Sequence, residues 1–207
     1  MDKRFTHVIF DLGGVLIGLD PVRTLRALQN LAPHAEVDWK ELYHHPLALK
    51  YEKGLVSDDE FRKGLREVLD MDQPDEEIDA AWNAMILDFP SDRFSLLEEL
   101  SRKYKVLLLS NTNDIHLRYV QHKVNALGYE SLDQHFTRAH YSHHMKMRKP
   151  DTEIYEKVLS EHGLAPGEAF FIDDNPANIE SAAMLGIGTH HLTHLDNLTN
   201  FVKSAFL

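Results

Sequence analysis

His7-Val8-Ile9-Phe10-Asp11-Leu12-Gly13-Gly14-Val15-Leu16 is an apolar run that stops on a carboxylate and then on two glycines. Val8, Ile9 and Phe10 are β-branched or aromatic with no polar alternation, the pattern of a strand buried on both faces of a parallel sheet. Asp11 then falls at the carboxyl end of that strand, where open α/β sheets bind their ligands. The glycines allow a sharp turn and a close approach of backbone to ligand. Taken alone, the stretch fits a strand-ending turn equally well.

The rest of the chain bounds the options. At 207 residues it is long enough for one substantial α/β domain or for a domain carrying an insertion. A hydrophobic fraction of 43% with 27% charged residues is that of a soluble globular protein. The formal charge of −11 opposes nucleic-acid binding, and no basic run offsets it. Cysteine is absent, which excludes disulfides, thiolate metal sites and cysteine nucleophiles. The first residues lack the apolar core of a signal peptide and no apolar run is long enough to span a bilayer, so a cytoplasmic protein with no membrane partner is expected. Oligomeric state is not legible.

Asp20-Pro21 opens a helix carrying Val22, Leu25, Leu28 and Leu31, which Pro33 ends. From about Trp39 to about Leu87 the pattern is helical throughout, with a capping box at Ser57-Asp58-Asp59-Glu60 and another start at Pro74-Asp75-Glu76-Glu77. Trp39 and Trp82 read as core of this block. An all-helical stretch behind a single strand suits an inserted helical cap, residues 19–89, in a core of 1–18 and 90–207. Beyond Pro90 helices alternate with strands. The strands are Lys105–Leu109, a short one within Phe136–Tyr141, Ala169–Ile172, and one near Gly188–Leu192; Asp151 is placed to cap a helix over Thr152–Leu164. Such alternation implies a parallel sheet with helices on both faces, a Rossmann-like α/β core.

Three buried strands therefore end on polar residues: Asp11, Ser110-Asn111 and Asp173-Asp174. Right-handed crossovers place like ends of parallel strands on one edge, so these groups converge. Clustered carboxylates repel one another and a phosphate alike unless a cation sits among them, and partly open oxygen ligands suit Mg²⁺. Ser110, neighbouring backbone N–H groups and Lys149 can hold phosphate oxygens while a carboxylate oxygen of Asp11 attacks phosphorus.

Asp11-Leu12-Gly13-Gly14-Val15-Leu16, Leu109-Ser110-Asn111-Thr112, Arg148-Lys149-Pro150-Asp151 and Phe171-Ile172-Asp173-Asp174-Asn175 resemble, in order and spacing, the four signature motifs of haloacid dehalogenase-like phosphohydrolases. The resemblance covers essentially the whole chain. It implies a Rossmann-like core with a helical cap after the first strand, and a phosphatase acting on a small soluble phosphomonoester, sugar phosphates first. Asp11 would be the nucleophile, and Ser110, Asn111 and Lys149 would hold the phosphoryl group. Mg²⁺ would be held by Asp11, the Gly13 carbonyl and the Asp173-Asp174 pair, with Asp174 the direct ligand. A metal-independent dehalogenase fits that acidic pair poorly.

The sequence departs from the pattern at Gly13, where phosphatases of the family usually carry a second aspartate that protonates the leaving group. It resembles here a subgroup of sugar-phosphate phosphatases with the same glycine. The alternative is an impaired, phosphate-binding protein of the same fold. His44-His45, His143-His144 and His190-His191 lack the i, i+4 spacing that puts two imidazoles on one helix face, and read as surface or packing residues. His44 or His45 could replace the missing acid, although solvated histidines are the commoner case.

Overall fold

The computed structural model describes residues 5–35 and 39–207, without the side chains of Trp39 and Lys40. The opening stretch forms β1 (His7–Phe10). A helical block follows: α1 (Pro21–Leu31), α2 (Trp39–His44), α3 (Pro46–Glu52), α4 (Asp58–Leu69) and α5 (Asp75–Asn83). Then come α6 (Arg93–Ser101), β2 (Lys105–Ser110), α7 (Asp114–Ala126), β3 (Arg138–Tyr141), α8 (Ser142–Met145) and α9 (Thr152–His162). The chain ends through β4 (Ala169–Asp173), α10 (Pro176–Met184), β5 (Gly188–His191) and α11 (Leu198–Phe206). The sheet runs β3-β2-β1-β4-β5 and every pairing is parallel. β1 lies at its centre, which is why its residues carry no polar alternation.

Alternate residues of the central strands feed two cores. Val8, Phe10, Val106, Leu108 and Ile172 face Leu96, Leu97 and Leu100 of α6 and Val202 of α11, whereas Ile9, Leu107, Leu109 and Phe171 face Tyr155 and Val158 of α9 and Ala182 of α10. The helical block has a third core of its own. Leu28, Tyr51, Phe61, Leu65, Ile78 and Trp82 pack there, joined by Ile115 from α7. The Ser57–Glu60 capping box forms as read, with Glu60 Oε2 accepting from Ser57 N at 2.7 Å and Ser57 Oγ from Glu60 N at 3.3 Å.

The two passages between sheet and helical block run side by side. Asp20 N donates to Met85 O at 2.8 Å and Leu87 N to Gly18 O at 2.9 Å, so a short antiparallel ladder ties residues 18–20 to 85–88. Charged contacts fasten the block at its other end: Arg148 Nε lies 3.0 Å from Glu52 Oε2 and Lys53 Nζ 2.7 Å from Asp151 Oδ2. This last pair corrects an expectation. Asp151 precedes α9 but makes no capping bond with its side chain. The carboxylate turns to Lys53 instead, where it meets a full charge and not an N–H dipole. Trp82 is buried as expected, while the side chain of Trp39 lies outside the described residues. Among the described residues no helix is long and apolar enough to cross a membrane.

Candidate active site

Parallel strands bring the three polar ends to one edge. Asp11 follows β1, and its N–H donates to Ile172 O of β4 at 2.9 Å, continuing the ladder by one residue. Ser110 ends β2 and Asp173 ends β4, both buried. Lys149 reaches in from the loop before α9. Its Nζ lies 2.8 Å from Asp11 Oδ1 and donates to Asp173 Oδ2 at 2.6 Å, with only 1% of the side chain exposed. A buried ammonium shared between two carboxylates is held by its partners, since an unpaired buried charge costs several kcal/mol.

The two aspartates of β4's end are not equivalent. Asp173 Oδ1 accepts from Asn175 N at 2.7 Å and from Asn178 Nδ2 at 3.0 Å, and Oδ2 accepts from Lys149 and also from Asn178 Nδ2 at 3.0 Å. Asp174 is exposed. One carboxylate oxygen each of Asp11, Asp173 and Asp174 can be chosen with all three within 4.8 Å of one another. Gly14 is required in this turn: its φ is +71°, and a Cβ there would collide with Asp174 Oδ2. The same Asp-Asp-Asn stretch also starts α10, for Asn175 Oδ1 accepts from Ala177 N at 2.9 Å. The capping and chemical readings of this motif coexist on different residues.

Burial pushes the Asp11 carboxyl up to about 7, with Asp173 and Asp174 adding to the rise and Lys149 opposing it. Desolvation works against the Lys149 charge, yet Asp11 and Asp173 carry its pKa above the usual lysine value. Asp174 is raised by burial and by Asp173. Three acids against one lysine leave an acidic pocket whose oxygen donors can hold a hard divalent cation.

Asn111 lines the pocket and is tied to the Lys149 main chain. Its Nδ2 donates to Lys149 O at 2.9 Å and its Oδ1 accepts from Lys149 N at 2.9 Å. Both ends of the amide are engaged with the Lys149 main chain, so the side chain positions the lysine. Ser110 Oγ makes only a long 3.5 Å contact to Asn111 O.

Opposite these groups stand residues from the helical block. An outer pocket lined by Asp11, Gly13, Leu19, Tyr43, His44 and Lys149 adjoins an inner cavity of about 100 Å³. The inner cavity is walled by Leu12, Ile17, Leu19, Trp82, Met85 and Ile86, with Glu52 and His116 among its polar groups. Gly13 has no side chain to offer, and its place is taken: a Cβ there would collide with Leu19 Cδ1 and come within 3.2 Å of Cγ. The two histidines proposed as substitutes separate as well. His45 Nδ1 caps α3 by accepting from Leu47 N at 3.2 Å, whereas His44 is exposed at the pocket rim.

Sequence reasoning passed over Glu52, Tyr43 and Asn178, and read Trp82 only as core. Asn178 could have been found as the polar residue one helical turn beyond Asp174; the others lie in helices with no local signal. Burial raises Glu52, countered by Arg148, and pushes the Tyr43 hydroxyl up to about 12, with Glu52 adding to the rise.

Known proteins resemble this chain in sequence and fold. The family model for haloacid dehalogenase-like hydrolases matches residues 5–186. The chain belongs to this family. A D-ribitol-5-phosphate phosphatase of Bacteroides thetaiotaomicron is 26% identical to this hydrolase over 185 residues, 88% of this chain and 89% of its own. A sesquiterpene phosphatase of Aspergillus oryzae is 29% identical over 201 residues, 93% and 92% of the two chains. Among solved structures, a HAD family enzyme of Bacteroides thetaiotaomicron in complex with magnesium and inorganic phosphate is 39% identical. It superposes with a TM-score of 0.82 over 90% of this chain and 93% of its own.

Proposed function

We propose that this hydrolase is a Mg²⁺-dependent phosphatase of a small phosphomonoester, a sugar or polyol phosphate first, acting through an aspartyl-phosphate on Asp11. The observation that carries the reading is the Lys149 ammonium shared by Asp11 and Asp173 while Asp174 stands open. With all acids ionised, three negative charges and one positive leave an excess of two, which one divalent cation cancels. Asp11, the Gly13 carbonyl and Asp174 would hold that cation, and Asp173, its oxygens already accepting four hydrogen bonds, would orient the set from behind. When bound, Mg²⁺ supplies charge neutralisation for an incoming phosphate dianion.

The protein's own residues do the rest. Lys149 and Ser110 bind phosphoryl oxygens, and Asn111 fixes Lys149 through its main chain. An Asp11 oxygen forms the bond to phosphorus as the ester P–O bond breaks, and water then cleaves the acyl phosphate to release phosphate and restore Asp11. Residues 19–89 act as a cap over the leaving group, hinged on the ladder between 18–20 and 85–88. The leaving-group side has Leu19 where an acid would stand, so the departing oxygen takes its proton from solvent or from His44 at the rim. The inner cavity favours a second choice of leaving group, since its walls are mainly apolar. The two relatives bracket the options, one acting on a polyol phosphate and one on a sesquiterpene phosphate.

A phosphate-release panel of polyol, sugar, aryl and prenyl phosphates, with Mg²⁺ and with excess chelator, tests the reading. Turnover is expected only with Mg²⁺ and highest for a polyol or sugar ester. Phosphate binding without release from any ester would establish the impaired binding protein instead.

A further inference from the structure

Adjacent histidines diverge on a helix, which is why His143 and His144 offer no metal pair in the sequence. The fold brings them a third group. Asp114 opens α7 beside α8, and its Oδ1 lies 3.4 Å from His143 Nε2 and 3.9 Å from His144 Nε2. The two imidazole centroids are 4.1 Å apart and inclined by 51°. One ligand atom from each residue can be chosen so that all three lie within 4.8 Å of one another. A tetrahedral ion with ligands at about 2.0–2.1 Å separates them by roughly 3.4 Å, so the cluster needs to contract little to bind one.

His143 supplies the second observation. It is 2% exposed, and neither ring nitrogen makes a hydrogen bond of normal geometry. Leaving a buried polar group unsatisfied is costly, and such groups call for a partner. Asp114 and His144 are exposed, so an ion has a path to the buried nitrogen. The support beneath is firm: Ser142 Oγ accepts from Thr112 N at 2.9 Å and lies 2.6 Å from Glu52 O, holding α8 against the loop that precedes Asp114. The neighbouring cation, Lys146, is engaged with Gly54 O.

We propose that Asp114, His143 and His144 form a second metal site, for a borderline divalent transition ion such as Zn²⁺, sharing no ligand with the strand-end carboxylates. Two imidazoles and one carboxylate are the donor set of such an ion and not of Mg²⁺, which takes oxygen. Three protein ligands leave a fourth position for water. The bound ion cross-links α7 to α8 behind the Ser110–Asn113 loop, and stabilises the fold by mass action.

The test uses the full, untagged chain in excess Mg²⁺. Titration with Zn²⁺, read by calorimetry and thermal melting, is expected to show one equivalent bound with a raised Tm, and Co²⁺ to give the strong visible bands of a tetrahedral ion. His144→Ala and Asp114→Asn change exposed side chains and should each weaken Zn²⁺ binding at least about tenfold. Asp11→Asn/Asp174→Asn should leave it unchanged. No Zn²⁺ binding in excess Mg²⁺, undiminished binding in both His144→Ala and Asp114→Asn, or loss of the Zn²⁺ equivalent in Asp11→Asn/Asp174→Asn would each overturn the site.

Discussion

The two walls of the pocket are built in opposite ways. On the sheet side, Asp11, Lys149 and Asp173 are buried charges held by one another and by amides. On the helical side, Leu19, Trp82, Met85 and Ile86 present an apolar surface with few polar groups. The sheet wall is fixed by three strand ends whose relative positions follow from parallel pairing, whereas the helical wall is fixed by packing alone. Under the proposed function the first wall makes bonds and the second chooses the leaving group, so substitutions on the two should fail differently.

Asp11→Asn gives the largest expected effect. Removing the proposed nucleophile should lower kcat by at least about 10³-fold while the protein stays folded, since the change is nearly isosteric. Near-wild-type turnover by a folded variant would take Asp11 out of the chemistry. Lys149→Met comes next and probes the same wall through stability. It strands Asp11 and Asp173 beside each other without their shared cation, and breaking a buried ion pair in this way costs about 3–5 kcal/mol. A denaturation midpoint unchanged from wild type in the absence of metal would mean that the carboxylates simply protonate at little cost.

The helical wall answers to smaller changes. Gly13→Asp by itself meets Leu19, so the added carboxyl should be displaced from the leaving oxygen. Gly13→Asp/Leu19→Ala opens that space. If the new acid then protonates the leaving group, hydrolysis of a poor leaving group such as a primary-alcohol phosphate should rise by about 10²-fold relative to an aryl phosphate, the low end of what general acid catalysis supplies. The measurement is kcat/KM across esters graded by leaving-group pKa. An unaltered slope in the double variant, or a flat series already in wild type, would show that the proton comes from elsewhere, with His44 the first residue to replace.

Legibility in the sequence divides along the same line. Asp11, Ser110, Asp173 and Asp174 were readable because a buried strand ending on a polar residue is a local pattern, and parallel order does the assembling; Lys149, in the loop before α9, was readable only through its place in the motif that the sequence resembles. The positioning role of Asn111 was not, because it depends on where the Lys149 main chain passes. Leu19 over Gly13, the Glu52–Arg148 pair and the Trp82 face of the cavity were not readable either. The first is a contact inside the irregular segment between β1 and α1, and the last two join residues far apart in sequence through packing of the helical block, for which no periodicity gives a register. The Asp114-His143-His144 cluster was missed for the same reason: its third member comes from another helix.

Buried groups at the two faces of the pocket, Asp11 and His116, also titrate in opposite senses within one pH window, which gives the smallest effect and the sharpest contrast. Asp11 in the metal-free fold is raised to about 7 from an unfolded value of 3.8, so the folded state holds the extra proton between them. Its stabilising contribution is complete below the unfolded value and is lost as pH rises through the folded one. His116 faces the other wall. Its ring stacks on Trp82 at 5.3 Å and its Nε2 lies 3.1 Å from Trp82 O. Burial lowers its pKa to about 4 from 6.5, so the unfolded chain takes the extra proton, and this contribution is lost as pH falls from the unfolded value to the folded one. His140 and His143, also lowered to about 4 by burial, add in the same direction. Melting the metal-free protein from pH 4.5 to 7.5 in wild type, Asp11→Asn and His116→Gln separates the terms. Asp11→Asn should gain Tm relative to wild type as pH rises, and His116→Gln should gain it as pH falls, each by roughly 2–4 °C per kcal/mol of lost linkage. Parallel Tm curves for all three proteins would mean that neither Asp11 nor His116 changes its protonation on folding.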